Sequence, residues 1–407
     1  MSSPHAAHPT LFPLRFISVE AASGIALLLA AAVALVWANT PLAPYYSALW
    51  HLPLGLGIAQ YLPEHDLHFW VNDGLMTVFF LVVGLEIRRE MHDGALADPK
   101  VALLPIIAAA GGVVVPALLY IAVNTDPLTR HGWAIPTATD IAFAVGVLAL
   151  VGKGIPSSLR MLLLTLAIID DIAAIIVIAL VYSSGINWVG FPIMAAGIAL
   201  VLALQWLGQR SMLAYVIPAA IVWYGMLRTG MHPTLAGVIL GLLTPVRAGF
   251  GRRARLTEKG TIAPVTQVEG ALHPWVAFGI MPLFALANAG VSVNGSNITG
   301  GAPLTVAVGI VLGLLVGKPV GIALASWLAV RLKLCSLPPD IQWRHIALLG
   351  VLGAIGFTVA IFVANLAFAD AQLLAAAKVA VIIASGVAAV LGFMLGRVQA
   401  ARPAHAG

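Results

Sequence analysis

Three aspartates and one lysine carry the chemistry legible in this 407-residue chain. Asp140 stands in Ile135-Pro136-Thr137-Ala138-Thr139-Asp140, and Asp170 and Asp171 are adjacent in Ala167-Ile168-Ile169-Asp170-Asp171. Lys318 stands in Gly317-Lys318-Pro319. Each lies within apolar sequence long enough to cross a bilayer, where an ionisable side chain costs about 2.5–3.5 kcal/mol on insertion scales. Carboxylate oxygens accept a proton or a hard cation, so these residues suit a site where the two compete. The ligand set Asp140, Asp171 and Thr139 offers only hard oxygen, which favours Na⁺ or Li⁺ over a transition metal. Mg²⁺ and Ca²⁺ also match on ligand type alone. The single cysteine, Cys335, has no His or Cys at metal-ligand spacing. A structural ion pair of Lys318 with Asp170 or Asp171 is the plainest alternative, but it leaves two carboxylates over. Adjacent helical residues point about 100° apart, so one aspartate can face Lys318 while the other faces a cation. Two carboxylates exchanging protons for one monovalent ion would move net charge.

The elements that position these residues must be membrane helices. Hydrophobic residues make up 61% of the chain and charged residues 9%, against roughly 25% charged in a soluble protein. An all-α polytopic membrane protein follows; the alternation of an outer-membrane barrel is missing. Apolar runs fall near 17–38, 69–89, 101–122, 133–152, 158–182, 188–208, 212–229, 231–245, 272–290, 303–330, 345–369 and 372–397, about twelve spans. The first is read as a retained helix, not a cleaved signal. With both termini cytoplasmic, seventeen of the 21 Lys and Arg residues fall in cytoplasmic segments and only Arg130 and Arg228 outside. The net charge of +5 is therefore a topology signal. The basic run from Arg247 to Lys259 reads as a cytoplasmic loop, and no nucleic acid is expected as a partner.

Depth brings the charges together. Asp140 lies 13 residues from Lys153, Asp171 lies 13 from Ser158, and Lys318 lies 13 from Arg331. At 1.5 Å per residue each is roughly 20 Å from the cytoplasmic end, near the middle of the bilayer. Pro136 interrupts the fourth span, and Gly353 and Gly356 permit unwinding of the eleventh. Antiparallel interrupted spans in corresponding positions mark an inverted-repeat transporter with its site at the crossing. The expectation is one transporter domain over 1–407. Repeat-like halves at about 101–182 and 303–397 form the ion-site core, and 17–89 and 231–290 supply scaffold helices. Asp140 can offset facing helix N-termini and Lys318 facing C-termini.

At these residues the chain resembles the bacterial NhaA-type Na⁺/H⁺ antiporter family over essentially its whole length. The most specific pieces are Ala138-Thr139-Asp140-Ile141-Ala142-Phe143, Ala167-Ile168-Ile169-Asp170-Asp171 and Gly317-Lys318-Pro319. Val83-Gly84-Leu85-Glu86, Leu235-Ala236-Gly237-Val238 and Leu272-His273-Pro274-Trp275 add to them. The resemblance implies a pH-regulated inner-membrane antiporter that exports Na⁺ or Li⁺ against inward H⁺, with no cofactor and no enzymatic activity. It implies Asp171 and Asp140 on the cation side and Lys318 paired with Asp170. It also implies a homodimer through the outer loop 41–58 and a pH-responsive set of Glu86, Arg89, Glu90, Glu269 and His273, with His232 on the outer side. Thr266, Gln267 and Gly270 depart from the family pattern where basic residues or His are expected, and Ala354 departs where Gly is expected.

Two other functional classes fit these residues less well. A membrane-embedded, metal-dependent enzyme would use the Asp pair at an aqueous rim, whereas here apolar Ile172-Ala173-Ala174-Ile175 follows it. A passive cation channel is disfavoured by a fixed ammonium at the level of the site.

Overall fold

The computed structural model describes residues 12–55, 64–152, 154–183, 185, 187–209, 211–246, 263–292 and 300–401, with side chains from residue 21 onward. The basic run 247–259, Lys153, and residues 56–58 of the outer loop lie outside the described residues.

Helices account for nearly all of the described chain, the remainder being turns and one two-residue strand pair. Eight helices are long and apolar enough to cross a membrane unaided, and two bent pairs make one span each. Two shorter apolar helices, Gly190–Trp206 and Leu235–Leu243, lie at the sixth and eighth apolar runs of the sequence, whose numbering is kept below. The polytopic all-α expectation therefore holds. Two boundaries differ from the sequence reading. The eighth span is helical only over Leu235–Leu243, because Pro233 and the positive φ of Gly230 end the chain's helical path before it. The ninth begins at Pro264, eight residues earlier than the apolar run, because Gln267, Glu269 and His273 sit on its helical first turns. The alternation of sides is visible directly. A Cβ on Gly154, after the fourth span, would lie 2.8 Å from the oxygen of Ala400 at the end of the twelfth. Gln399 donates to the carbonyl of Arg344 at the start of the eleventh (2.8 Å).

Close helix approach sets the frame around the site. The third span, Pro99–Val123, packs along the tenth, Gly301–Arg331, through facing glycines. A Cβ on Gly321 would lie 2.1 Å from the carbonyl oxygen of Gly111, and one on Gly111 would lie 2.3 Å from that of Gly321. Without hydrophobic drive between helices in lipid, such contact supplies the packing. Gly321→Ala is expected to lose about 1–3 kcal/mol through overpacking and to lower the melting midpoint in detergent. An unchanged midpoint would show that the two backbones are not in contact.

On the outer side, Ala43–Trp50 forms a helix whose Tyr46 hydroxyl donates to Leu286 O (2.7 Å) at the end of the ninth span. Pro53–Leu54 then pairs antiparallel with His65–Asp66. The described part of loop 41–58 is thus ordered against the ninth span.

Candidate functional site

The fourth and eleventh spans break in the middle and cross at their breaks. In the fourth, a tight helical turn over His131–Thr137 ends in extended backbone at Ala138, and a new helix, Ile141–Val151, starts from Asp140 as its N-cap. The two halves are bent by 43°. Pro136 supplies no backbone donor, which is why the regular helix stops here. In the eleventh, Trp343–Gly353 and Phe357–Ala367 are bent by 47° around Ala354–Gly356. The breaks touch: Asp140 N donates to Ile355 O (2.7 Å), and a Cβ on Gly356 would lie 3.0 Å from Ala138 O.

Breaking a helix in lipid strands backbone donors and acceptors, and the ionisable residues satisfy them. Asp140 is fully buried. Its Oδ1 accepts from Phe143 N (3.0 Å), and its Oδ2 accepts from both the backbone N–H (3.1 Å) and the hydroxyl of Thr358. One carboxylate therefore caps the N-terminal ends of both inner and outer half-helices, where partial positive charge collects. Lys318 donates to the carbonyl of Thr137, at the C-terminal end of the opposite half. Lys318 follows a π-helical turn, Gly313–Gly317, that widens the tenth span beside the crossing.

The Asp-Asp pair divides its duties. Asp170 Oδ2 lies 2.8 Å from Lys318 Nζ, and both side chains are sealed. The Thr139 hydroxyl lies 2.6 Å from that same oxygen and 2.9 Å from Gly353 O. With one proton to give, it serves one acceptor at a time. Asp170 Oδ1 is buried and has no partner. Asp171, 3% exposed, makes no hydrogen bond among the described residues. It lies within electrostatic reach of Glu86, Asp170, Asp140 and Lys318.

Asp140, Thr139, Asp170, Asp171 and Lys318 are thus brought together, with Pro136, Gly353 and Gly356 at the edges of the two breaks. Asp140 and Asp171 share no ligand or donor: Asp140 is occupied at the crossing and Asp171 is open. Among the described residues no group of three or more His, Cys, Asp or Glu has the geometry to hold a metal ion.

Between the end of the second span and the start of the ninth, Arg89 Nη1 lies 3.2 Å from Glu269 Oε1, and Nη2 lies 3.4 Å from Glu90 Oε1. Glu90 also accepts from Ala95 N (2.9 Å), and His273 lies within electrostatic reach of Arg89. Glu86, three residues before Arg89 on the second span, sits between this cluster and Asp171. His232 stands apart, in the turn between the seventh and eighth spans.

Two site residues were not singled out in the sequence. Thr358 holds Asp140, and Ser385 of the twelfth span accepts from Phe357 N (3.0 Å), the first free amide of the outer half-helix. The available signals were a hydroxyl two residues after Gly356 and a serine inside Ile382-Ile383-Ala384-Ser385-Gly386.

Comparison with known proteins finds related sequences and one distantly similar solved structure. The sequence profile described as Na⁺/H⁺ antiporter 1 matches residues 14–395. A protein named Na(+)/H(+) antiporter NhaA from Acidovorax is 55% identical over 402 aligned residues, covering 95% of this chain and 94% of that protein. One of the same name from Cupriavidus necator is 53% identical, covering 95% and 89%. A solved sodium proton antiporter from Methanocaldococcus jannaschii is 12% identical, covers 95% of this chain and 98% of its own, and superposes with a TM-score of 0.47, too distant to add weight.

Proposed function

Because the chain belongs to the Na⁺/H⁺ antiporter 1 family, we propose that it exports Na⁺ against inward H⁺ by letting the two compete for the oxygens of Asp171 and Asp170. The observation that carries this reading is the contrast within the pair. Among the described residues the Asp171 side chain is deep and makes no hydrogen bond, while Asp170 keeps one unpartnered oxygen beside its lysine. A dehydrating Na⁺ gains Asp171 and Asp170 Oδ1 as ligands without breaking an existing hydrogen bond. The Thr139 hydroxyl turns its proton to Gly353 O and offers a lone pair. Asp140 holds the two breaks together and contributes negative potential.

When the cation leaves, protons from the other side take its place. Two carboxylates served by one monovalent ion make the exchange electrogenic. Turnover in proteoliposomes should rise under an imposed potential of the polarity that draws net positive charge inward. A rate indifferent to the potential would remove the two-carboxylate mechanism.

Li⁺, with the same preference for hard oxygen, is a second substrate. The positive-inside bias supports an inner-membrane protein with both termini cytoplasmic. We place 101–182 and 303–397 as the unit that carries the site and 17–89 with 231–290 as the scaffold. The ordered outer segment supports a homodimer through 41–58. The Arg89, Glu90, Glu269 and His273 cluster, with Glu86 leading towards Asp171, supports pH control from the inner side. The direct test of the whole reading is Na⁺-driven proton flux in vesicles containing only this protein, which should be absent from protein-free vesicles.

A further inference from the structure

The half-helix that leaves the crossing outward carries two more layers. One turn beyond Thr358, Phe362 packs its ring against Phe80 of the second span (centroids 5.3 Å apart) and Phe284 of the ninth (6.2 Å). All three are buried. One turn further, Asn365 Nδ2 donates to Asn288 Oδ1 (2.8 Å), and Asn288 Nδ2 donates to Asn72 Oδ1 (2.9 Å). Asn72 lies on the second span and Asn288 on the ninth, so the same three spans build both layers. Lys378 of the twelfth span, 8% exposed, reaches Asn288 Oδ1 at 3.4 Å. It forms no ion pair among the described residues, and His68 is the ionisable neighbour within its electrostatic reach.

We propose that these layers are the outer gate of the transporter, with Asn288 as its hub and Lys378 as a built-in load that favours opening. The inference rests on the antiport reading and names the parts that must separate when the site turns outward. The phenylalanines exclude hydrated ions. The asparagines join spans of the core (eleventh and twelfth) to spans of the scaffold (second and ninth). Buried amides need partners, and water can replace those partners when the layer parts, so a polar clamp at this level opens without exposing a large apolar face. Lys378 sits in the closed gate as a buried ammonium beside an amide oxygen and the His68 ring, with no carboxylate partner among the described residues, and opening gives it water. An uncompensated buried charge favours whichever state hydrates it.

The load can be removed by giving Lys378 the partner it lacks. Asn288→Asp is nearly isosteric and places a carboxylate beside the ammonium, while Asn72 turns its amide so that its nitrogen donates to the new carboxylate in place of the lost Asn288 Nδ2 bond. The expected result is a turnover at saturating Na⁺ reduced roughly tenfold, the population shift that one charge-assisted hydrogen bond confined to the closed state supplies, with a melting midpoint no lower than the parent's. Asn288→Asp with Lys378→Gln should recover most of that rate. A turnover equal to the parent's, or a loss of rate that tracks a lower midpoint, would overturn the proposal. A second measurement does not depend on that variant folding. Asn288→Cys with Asn365→Cys, in a Cys335→Ala background, is joined by a short bifunctional thiol reagent. Exchange should stop on joining and return to its prior rate when a cleavable reagent is reduced. Joined protein that still exchanges, or thiols that do not join in folded protein, would overturn the gate. If the unmodified protein shows no Na⁺-driven flux in the same vesicles, the antiport reading fails instead.

Discussion

Asp171→Asn will reduce Na⁺-driven proton movement to the level of protein-free vesicles while leaving the fold intact. Asp171 is the one site carboxylate with no hydrogen bond to lose, so asparagine of the same size fits the same space. What it removes is the negative charge and the proton-binding oxygen together. An amide oxygen is a weak ligand for an alkali ion in a dry site and cannot carry a proton across. Everted vesicles with a pH-sensitive dye read the outcome directly: normal sodium-dependent dequenching in the variant would remove Asp171 from the site. Asp140→Asn should behave differently. Asp140 accepts from Phe143 and twice from Thr358, so its amide variant loses an anionic cap shared by two half-helices and should lower stability as well as transport.

Lys318→Ala carries the second large effect. The ammonium and Asp170 are both sealed, 2.8 Å apart, and the lysine also satisfies the Thr137 carbonyl. Removing one partner of a buried pair strands the other, with a loss of about 3–5 kcal/mol. The melting midpoint should fall clearly and transport should fail. Adding Asp170→Asn removes the stranded charge and should restore part of the stability, because two residues in contact are not additive. Transport should stay lost, since a site carboxylate is gone. A midpoint unchanged in the single variant would show that the pair contributes nothing to folding.

What the sequence revealed follows from the length scale of each signal. Twelve apolar stretches are long-range statistics, and lipid permits no irregular exposed backbone, so the spans and the two breaks were readable. Equal depth, 13 residues from an inner end in three separate spans, was enough to gather Asp140, Asp171 and Lys318. The finer assignments depend on rotation and handshakes between distant segments. Nothing local says that Asp140 spends its oxygens on Thr358, 218 residues away. Nothing local says that Asp170, not Asp171, takes Lys318 as its partner. The π-helical turns at Trp70–Leu75, Val276–Ile280 and Gly313–Gly317 shift the register of three spans without a compositional mark. The outer asparagines were passed over because single amides near a helix end look like ordinary interfacial residues. Only the contact of Asn72, Asn288 and Asn365 makes them a unit.

The capping geometry also bears on why the breaks persist. Free amides at the outer half-helix are taken up by Asp140 and Ser385, and the free carbonyls of Thr137 and Gly353 by Lys318 and Thr139. These partners come from three spans, Thr139 and Asp140 from the fourth, Lys318 from the tenth and Ser385 from the twelfth, so the crossing is held from several sides and need not dissolve when the ion site changes its exposure.

The decisive measurement is the apparent KM for Na⁺ as a function of pH in reconstituted vesicles, taken alongside the maximal rate. If proton and cation occupy the same carboxylate oxygens, KM should climb by about tenfold for each unit of acidification per competing proton, with the maximal rate at saturating Na⁺ preserved. A KM that stays flat while the maximal rate collapses would place the two ions at separate sites and contradict the competition on which everything above depends.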